Sequence, residues 1–311
     1  MKIVFMGTPR AAAASLERLL LDGHDVSAVY TQPDRSSGRG NKITLSPMKE
    51  CAFKHNLPVL QPVKIRTPEA LDEFQSFKAD AAVVVAYGRI LPETFLHAFP
   101  NGAINVHFSL LPKYRGAAPV NWALVNGECE TGVTTMQMDA GLDTGAILLQ
   151  RSTAIVADET AVDLMERLSF LGADLLSETL SDLGQIQPRA QDNANESFAP
   201  IMKREDGLID WSLTAKDIAN RVRGFQPFPT AFTFNNGAKL TIWRAFPVEN
   251  ATGTNGIAGT ILEARGDNLV VNCGGDSFLR IEEVQPEGKR RMTTRDFLNG
   301  IRIEIGTILG V

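Results

Sequence analysis

The chain has 311 residues, 44% of them hydrophobic and 22% charged, with a formal net charge of −5. That length exceeds the roughly 100 to 200 residues of an ordinary domain, so two domains are expected, and the composition excludes disordered, collagenous and fibrous classes. No apolar run approaches the ~18 residues of a membrane span, the start MKIVFMGTP carries a glycine and a proline where a secretory signal would be apolar, and no marked basic excess announces a nucleic-acid domain. A soluble cytoplasmic protein with no membrane partner is expected. Cys51, Cys129 and Cys273 are odd in number, far apart and in no CxxC pairing, which argues against a disulfide framework and against a zinc knuckle.

In chain order, strand-like runs at 3–6, 26–30, 81–86 and 103–106 alternate with helical patterns at 10–21, 47–55, 67–77 and 119–125, the signature of βαβ units around a largely parallel sheet. A longer helix is predicted over 160–183, where Val162, Met165, Leu168, Leu171, Leu175 and Leu176 recur at helical spacing. The stretch 184–199 loses periodicity, collects Gln, Asn, Asp and Pro, and reads as a linker. After a helical 214–221 come short strands at 230–234, 240–245, 256–262, 269–272 and 277–284, separated by glycine and asparagine turns. The expected fold is α/β: a Rossmann-like, largely parallel sheet domain over 1–189, a linker over 190–205, and a C-terminal small β-barrel (OB-like) domain over 206–311.

The first strand feeds its helix through Gly7, Thr8 and Pro9, a turn whose backbone N–H groups suit a carboxylate or phosphate, although neither GxGxxG nor a P-loop is present. Strand alternation places Asn105 and His107 on one face, at the carboxyl end of a parallel strand where ligands gather. The loop after them is constrained by Pro112, Gly116 and Pro119. Asp139 and Asp143 lie among glycines without the ligand pattern of an EF-hand. Asp143 is the more informative, because a carboxylate is the usual partner that orients and charges an imidazole. Arg35, Arg39 and Lys42 sit in a glycine-bearing loop, and Arg221, Arg223 and the run Lys289, Arg290, Arg291 offer further positive charge. Each has a plain structural reading too: a satisfied histidine, a polar turn, a solvated surface.

Taken together, FMGTP at 5–9, TQPDRSSGRG at 31–40, VVVAYGRILP at 83–92, INVHFSLLPKYRGAAPVNWA at 104–123, ETGVTTMQMDAGLDTGAIL at 130–148 and IDWSLTAKDI at 209–218 resemble the folate-dependent formyltransferases. The resemblance implies 10-formyltetrahydrofolate as co-substrate with no metal, and the α-amino group of methionine on initiator tRNA as acceptor. Asn105 and His107 match the residues that donate hydrogen bonds to the tetrahedral oxyanion. Asp143 matches the carboxylate that holds the imidazole protonated and helps move the proton. Ser109, Leu110, Leu111 and Pro112 match the folate-contacting stretch, and Tyr87, Gly88, Ile90 and Leu91 fall in the loop that lines the pterin pocket. Arg35, Arg39 and Lys42 fall in the segment that reaches the tRNA acceptor stem, and a monomer is implied. Phe108 departs from the Gly or Ala usual in the family, and Arg10 and Ala11 from an acidic residue and Phe. A formyltransferase of sugar-nucleotide amines would share Asn105, His107 and Asp143 but not the acceptor surface; the tryptophan-bearing 209–213 and the basic loop favour tRNA. The three intact polar residues argue against a non-catalytic RNA-binding module.

Overall fold

β1 (Lys2–Gly7) runs from Ile3 to Met6 without a polar side chain, and all four residues are fully buried, as a central strand covered on both faces requires. This computed structural model describes residues 1–37, 42–249 and 256–310, with the backbone alone at 35–37 and 42–43. The chain divides into two compact units. Met1–Pro119, Glu130–Ala154 and Met165–Pro200 make the first, and Val120–Cys129, Ile155–Leu164 and Ile201–Val311 the second.

Through the first part of the chain run β1, α1 (Ala13–Leu21), β2 (Asp25–Tyr30), β3 (Arg35–Ser37), β4 (Lys42–Thr44), α2 (Pro47–Lys54), β5 (Val59–Leu60), α3 (Pro68–Ser76) and β6 (Ala81–Val85). There follow α4 (Glu93–Leu96), β7 (Ala103–His107), β8 (Arg115–Gly116), α5 (Pro119–Val125), β9 (Glu130–Gln137), β10 (Ile147–Ala154), α6 (Ala161–Ser181) and β11 (Phe198–Ala199). The seven-stranded sheet has the order β10-β9-β7-β6-β1-β2-β5. Its five strands from β7 to β5 are parallel, and β9 and β10 add an antiparallel edge. The helix starts carry the caps their sequences announce: Ser46 accepts from the Lys49 N–H at 3.1 Å and Thr67 from the Ala70 N–H at 3.3 Å, each with proline next in the chain. The helix predicted from residue 10 begins as a tighter 3₁₀ turn, Arg10–Ala12, before α1.

The polar stretch after α6 contributes to the first unit as far as Pro200. Arg189 bridges to Ile147, and β11 pairs in parallel with β8. Its polarity has a use inside the fold, because Gln191, Asn193 and Glu196 are the partners of Arg115, which is only 2% exposed.

The second unit holds an antiparallel sheet of order β12 (Ala231–Asn235), β13 (Ala238–Val248), β16 (Ser277–Pro286), β15 (Asn268–Cys273), β14 (Ile261–Arg265), with β17 (Met292–Thr293) on β16. Helices α7 (Ala215–Gly224) and α8 (Thr294–Gly300) pack into a core that includes Ile218, Val222, Ile242, Ile261, Leu279, Ile281 and Phe297. The strand expected from residue 256 starts at Ile261, after Gly259 turns the chain at φ 90°. Helix α8 was not anticipated, although Thr293 followed by Asp296 is an N-cap signature and the Thr293 hydroxyl accepts from the Asp296 N–H at 3.2 Å. Among the described residues no helix is long and apolar enough to cross a membrane.

Candidate active site

β7 places Asn105 and His107 on one face near its carboxyl end; His107 is 6% exposed and Asn105 half-buried. Val106 and Phe108 point to the other face, where Val106 Cγ1 and Phe108 Cε1 close on Gly172 of α6. The departure at Phe108 is thereby taken up by packing against α6, on the side away from His107.

His107 Nε2 lies 2.9 Å from the Tyr114 carbonyl, and since a carbonyl only accepts, Nε2 carries the proton. Nδ1 faces Asp143 Oδ2 at 3.7 Å, longer than a hydrogen bond and within ion-pair reach. Both ring nitrogens therefore face oxygen acceptors, with only the Nε2 contact at hydrogen-bond distance. The Asn105 Oδ1 is buried and has no hydrogen-bond partner among the described residues, an uncompensated polar atom of the kind a ligand completes.

Asp143 reaches His107 by an indirect route. The β9–β10 loop leaves the sheet beside Ala103, whose carbonyl accepts from the Met138 N–H at 2.8 Å, at the amino end of β7. It must fold over the sheet face to bring Asp143 to the carboxyl end. Asp143 takes a left-handed conformation at φ 53°, tolerated by Asp better than by most residues. Three bonds hold it there: the Gly116 N–H donates to Oδ2 at 2.8 Å, and Gln191 Nε2 donates to the carbonyls of Asp143 and Gly145, each at 2.8 Å. Gln191 Oε1 in turn accepts from Arg115 Nε at 3.0 Å and Nη2 at 2.7 Å. Gly116 is required where it stands, at φ 120°, with the site of a Cβ only 2.7 Å from the Ala199 carbonyl.

The stretch after His107 is fixed from beneath. Thr134 Oγ1 donates to the Ser109 carbonyl at 2.7 Å and accepts from the Leu111 N–H at 3.1 Å, while Gln150 Nε2 donates to the Leu111 carbonyl at 2.8 Å. The Ser109 hydroxyl is engaged with the Lys113 carbonyl at 2.6 Å, and Ser109 and Leu111 are buried, so they shape the loop; Leu110 and Pro112 are half-buried. Nearby in the sequence order of the sheet, Thr8, Gln32, Asp34, Ser46, Tyr87 and Gly88 line a cleft of about 440 Å³ at the carboxyl ends of β1, β2 and β6. Thr8 and Gln32 both donate to the Tyr87 carbonyl, at 3.0 and 3.1 Å. The Lys49 ammonium and the Gln61 amide hold the Asp34 carboxyl below the usual carboxylate range. Tyr87 and Leu91 are buried in the core with Phe74 and Phe95, Gly88 opens onto the cleft, and Ile90 is 71% exposed.

The basic residues separate. β3 and β4 pair antiparallel, which sets Arg35 opposite Thr44 and Lys42 opposite Ser37, while Arg39 lies outside the described residues. In the second unit, Arg223 is spent on structure: Nε and Nη2 donate to Asn220 Oδ1 at 3.1 and 2.9 Å, and Nη1 donates to the Val156 and Glu159 carbonyls at 3.3 and 3.4 Å. Arg291 pairs with Glu283 and covers the Trp243 ring at 5.0 Å, whereas Lys289 and Arg290 are exposed. Trp211 is 6% exposed with Nε1 donating to Thr233 Oγ1 at 3.0 Å, which makes it a core residue and no stacking surface.

Asn105, His107 and Asp143 are thus brought together as the sequence suggests. Gln191, Arg115, Tyr114 and Gly116 complete the arrangement; of these the sequence singled out only Gly116, as a constraint on the loop. The last three stand in the KYRGAAP segment, so their neighbourhood was marked; Gln191 sits in a polar stretch with no local signal.

Residues 1–180 match the family model described as formyl transferase, and residues 201–302 the one described as formyl transferase, C-terminal domain. Methionyl-tRNA formyltransferase from Geobacter sulfurreducens is 48% identical over 312 residues, covering 100% of this chain and 97% of that protein. The protein of the same name from Caldanaerobacter subterraneus subsp. tengcongensis is 50% identical, covering 99% of this chain and 100% of its own length. Among solved structures, an N-formyltransferase from Helicobacter canadensis in complex with folinic acid and dTDP-3-aminofucose aligns with a TM-score of 0.69 at 22% identity, over 92% of this chain and 99% of that one, and shares the fold. With both family models matched along the chain and relatives about half identical over its whole length, this chain belongs to the formyltransferase family.

Proposed function

We propose that the chain transfers a formyl group from 10-formyltetrahydrofolate to the α-amino group of methionyl initiator tRNA and so supports translation initiation, acting as a cytoplasmic monomer. The observation that carries this reading is the 48 to 50% identity, end to end, to proteins named for that activity, joined to the convergence of Asn105, His107 and Asp143. When the amine attacks the formyl carbon, the formyl oxygen takes up negative charge. Asn105, through its amide N–H, and His107, whose Nε2–H is already given to Tyr114, through Nδ1–H, are the donors assigned to stabilise it. Asp143 faces the ring and orients it while the proton passes from the attacking amine to the departing folate nitrogen. The cleft has the size of a small-ligand site, and Tyr87, Gly88, Ile90 and Leu91 would bound the pterin there, with Ser109, Leu110, Leu111 and Pro112 shaping the wall beside His107. Catalysis is assigned to residues 1–189, and acceptor recognition to the loop bearing Arg35, Arg39 and Lys42 together with the domain over 206–311, the intervening 190–205 joining them.

The deciding experiment offers formyl-labelled 10-formyltetrahydrofolate with charged initiator tRNA and, separately, with an aminosugar nucleotide. Label is expected on methionyl-tRNA. Label on the aminosugar, with none on tRNA, would replace this reading by that of a sugar formyltransferase.

A further inference from the structure

Where α1 and α2 meet in the first unit, three side chains of metal-ligating type converge: Glu17 from α1, Cys51 from α2 and His55 from its C-cap. One donor atom of each, a carboxylate oxygen, a sulfur and an imidazole nitrogen, lies within 4.8 Å of the other two, and Cys51 Sγ is 3.8 Å from Glu17 Oε1. Cys51 and His55 are four apart at the end of one helix, the spacing that stacks two side chains on one face. Cys51 is 5% exposed whereas Glu17 and His55 are exposed, so the sulfur forms the floor of the cluster and the other two its rim. None of the three lines the cleft or touches Asn105, His107 or Asp143, so formyl transfer leaves the cluster unexplained.

We propose that Glu17, Cys51 and His55 bind one divalent transition-metal ion of the zinc class, which ties α1 to α2. Mixed sulfur, nitrogen and oxygen donors select zinc or cobalt over magnesium and calcium, which take oxygen ligands. Bond lengths of about 2.0 to 2.3 Å place tetrahedral donors roughly 3.5 Å apart, so the cluster has to draw in by about 1 Å, and the exposed Glu17 and His55 side chains have the freedom to do it. On binding, the thiol proton leaves to solvent, the thiolate forms the sulfur–metal bond, and a water completes the fourth position. The ion acts on the fold alone, and this assignment does not depend on the identity of the formyl acceptor.

The test is titration of the metal-stripped full-length protein with cobalt(II), read by absorption. One equivalent should bring up a thiolate-to-cobalt charge-transfer band and the intense visible bands of a tetrahedral site, and zinc should bleach both. Cys51→Ser should abolish the charge-transfer band, while Cys129→Ser, which removes an exposed thiol elsewhere, should leave it intact. His55→Gln, at an exposed position that tolerates change, should weaken cobalt binding at least ~10-fold with an unaltered thermal midpoint in chelator. Absence of a saturating band in the wild type, its survival in Cys51→Ser, its loss in Cys129→Ser, or full affinity in His55→Gln would each overturn the assignment.

Discussion

At the scale of single residues, the site is a ring held between two acceptors with an amide beside it. The Tyr114 carbonyl fixes Nε2 and leaves Nδ1 to the side where Asp143 faces it at 3.7 Å. Donors that act on charge developed only in the transition state affect turnover more than binding. Asn105→Ala and His107→Ala should accordingly lower kcat by on the order of 100- to 1000-fold with little change in folate affinity, measured by steady-state rates alongside equilibrium binding. Asp143→Asn should fold and bind folate but lose activity on a comparable scale, since an amide presents a smaller negative potential to the ring. Near wild-type turnover in any of the three would remove it from the chemistry. This part of the site was legible from strand alternation, because Asn105 and His107 share a face whenever 103–107 is extended.

Elements matter next, because Asp143 is positioned by a loop that has to cross the sheet face. Gln191 spans that loop with two bonds to its carbonyls and is braced by the buried Arg115, so the Asp143 carboxylate is anchored from a segment nearly fifty residues later. Gln191→Ala should cost ~1 to 3 kcal/mol of stability through unsatisfied buried groups. It should also lower kcat by up to about 100-fold, with folate KM nearly unchanged, because a loop displaced by about 1 Å misaligns the carboxylate. A stability loss with wild-type kcat would mean that the Gly116 N–H alone is enough to hold Asp143. On the opposite face of β7, a Cβ at Gly172 would lie 2.9 Å from Val106 Cγ1 and 3.4 Å from Phe108 Cε1. Helix propensity favours Ala there by ~1 kcal/mol, but overpacking against a stiff β-branched side chain costs ~1 to 3 kcal/mol. Gly172→Ala should therefore lower the denaturant midpoint, and Val106→Ala in the same chain should recover part of the loss. No local signal in the sequence couples residue 108 to residue 172. Only the packing of α6 on the sheet does so.

For the molecule as a whole, charge and burial give two expectations. If Arg35, Arg39 and Lys42 meet the acceptor-stem backbone, the triple alanine variant should raise KM for charged tRNA and leave folate Kd unaltered. It should also flatten log affinity against log salt by roughly one unit or less per charge removed. An unchanged slope in a salt series would move recognition to the second unit, where Lys289 and Arg290 remain exposed and Arg223 is already committed to Asn220 and two carbonyls. Alkaline stability is the other. Burial pushes the Cys273 thiol from 9.0 up to about 12, and burial with Glu17 beside it pushes Cys51 up to about 11. The folded protein keeps these protons while the unfolded chain sheds them above pH ~9, so stability is fully present below that pH and falls as pH rises toward the folded values, by about 1.4 kcal/mol per pH unit for each thiol. Denaturant midpoints measured across this range in the presence of chelator should decline, and Cys273→Ala should show a shallower decline than the wild type.

The sequence by itself determined the strands and helices whose patterns are local. Continuous apolar runs became β1 and β6, a mostly apolar one became β2, Ser-Pro and Thr-Pro pairs started α2 and α3, and the alternating β7 put Asn105 beside His107. It also announced the family, through motifs spread along both units. Tertiary structure alone decided what depends on residues distant in the chain: that Asp143 returns over the sheet to Nδ1 of His107, that a polar stretch resembling a linker supplies Gln191 to hold it, that Trp211 is core, and that Glu17 meets Cys51 and His55. The physical reason is the range of the interactions. Backbone propensity and alternation act over a few residues and can be read in sequence order, whereas buried hydrogen bonds, ion pairs and close packing are settled only when separate segments compete for the same space.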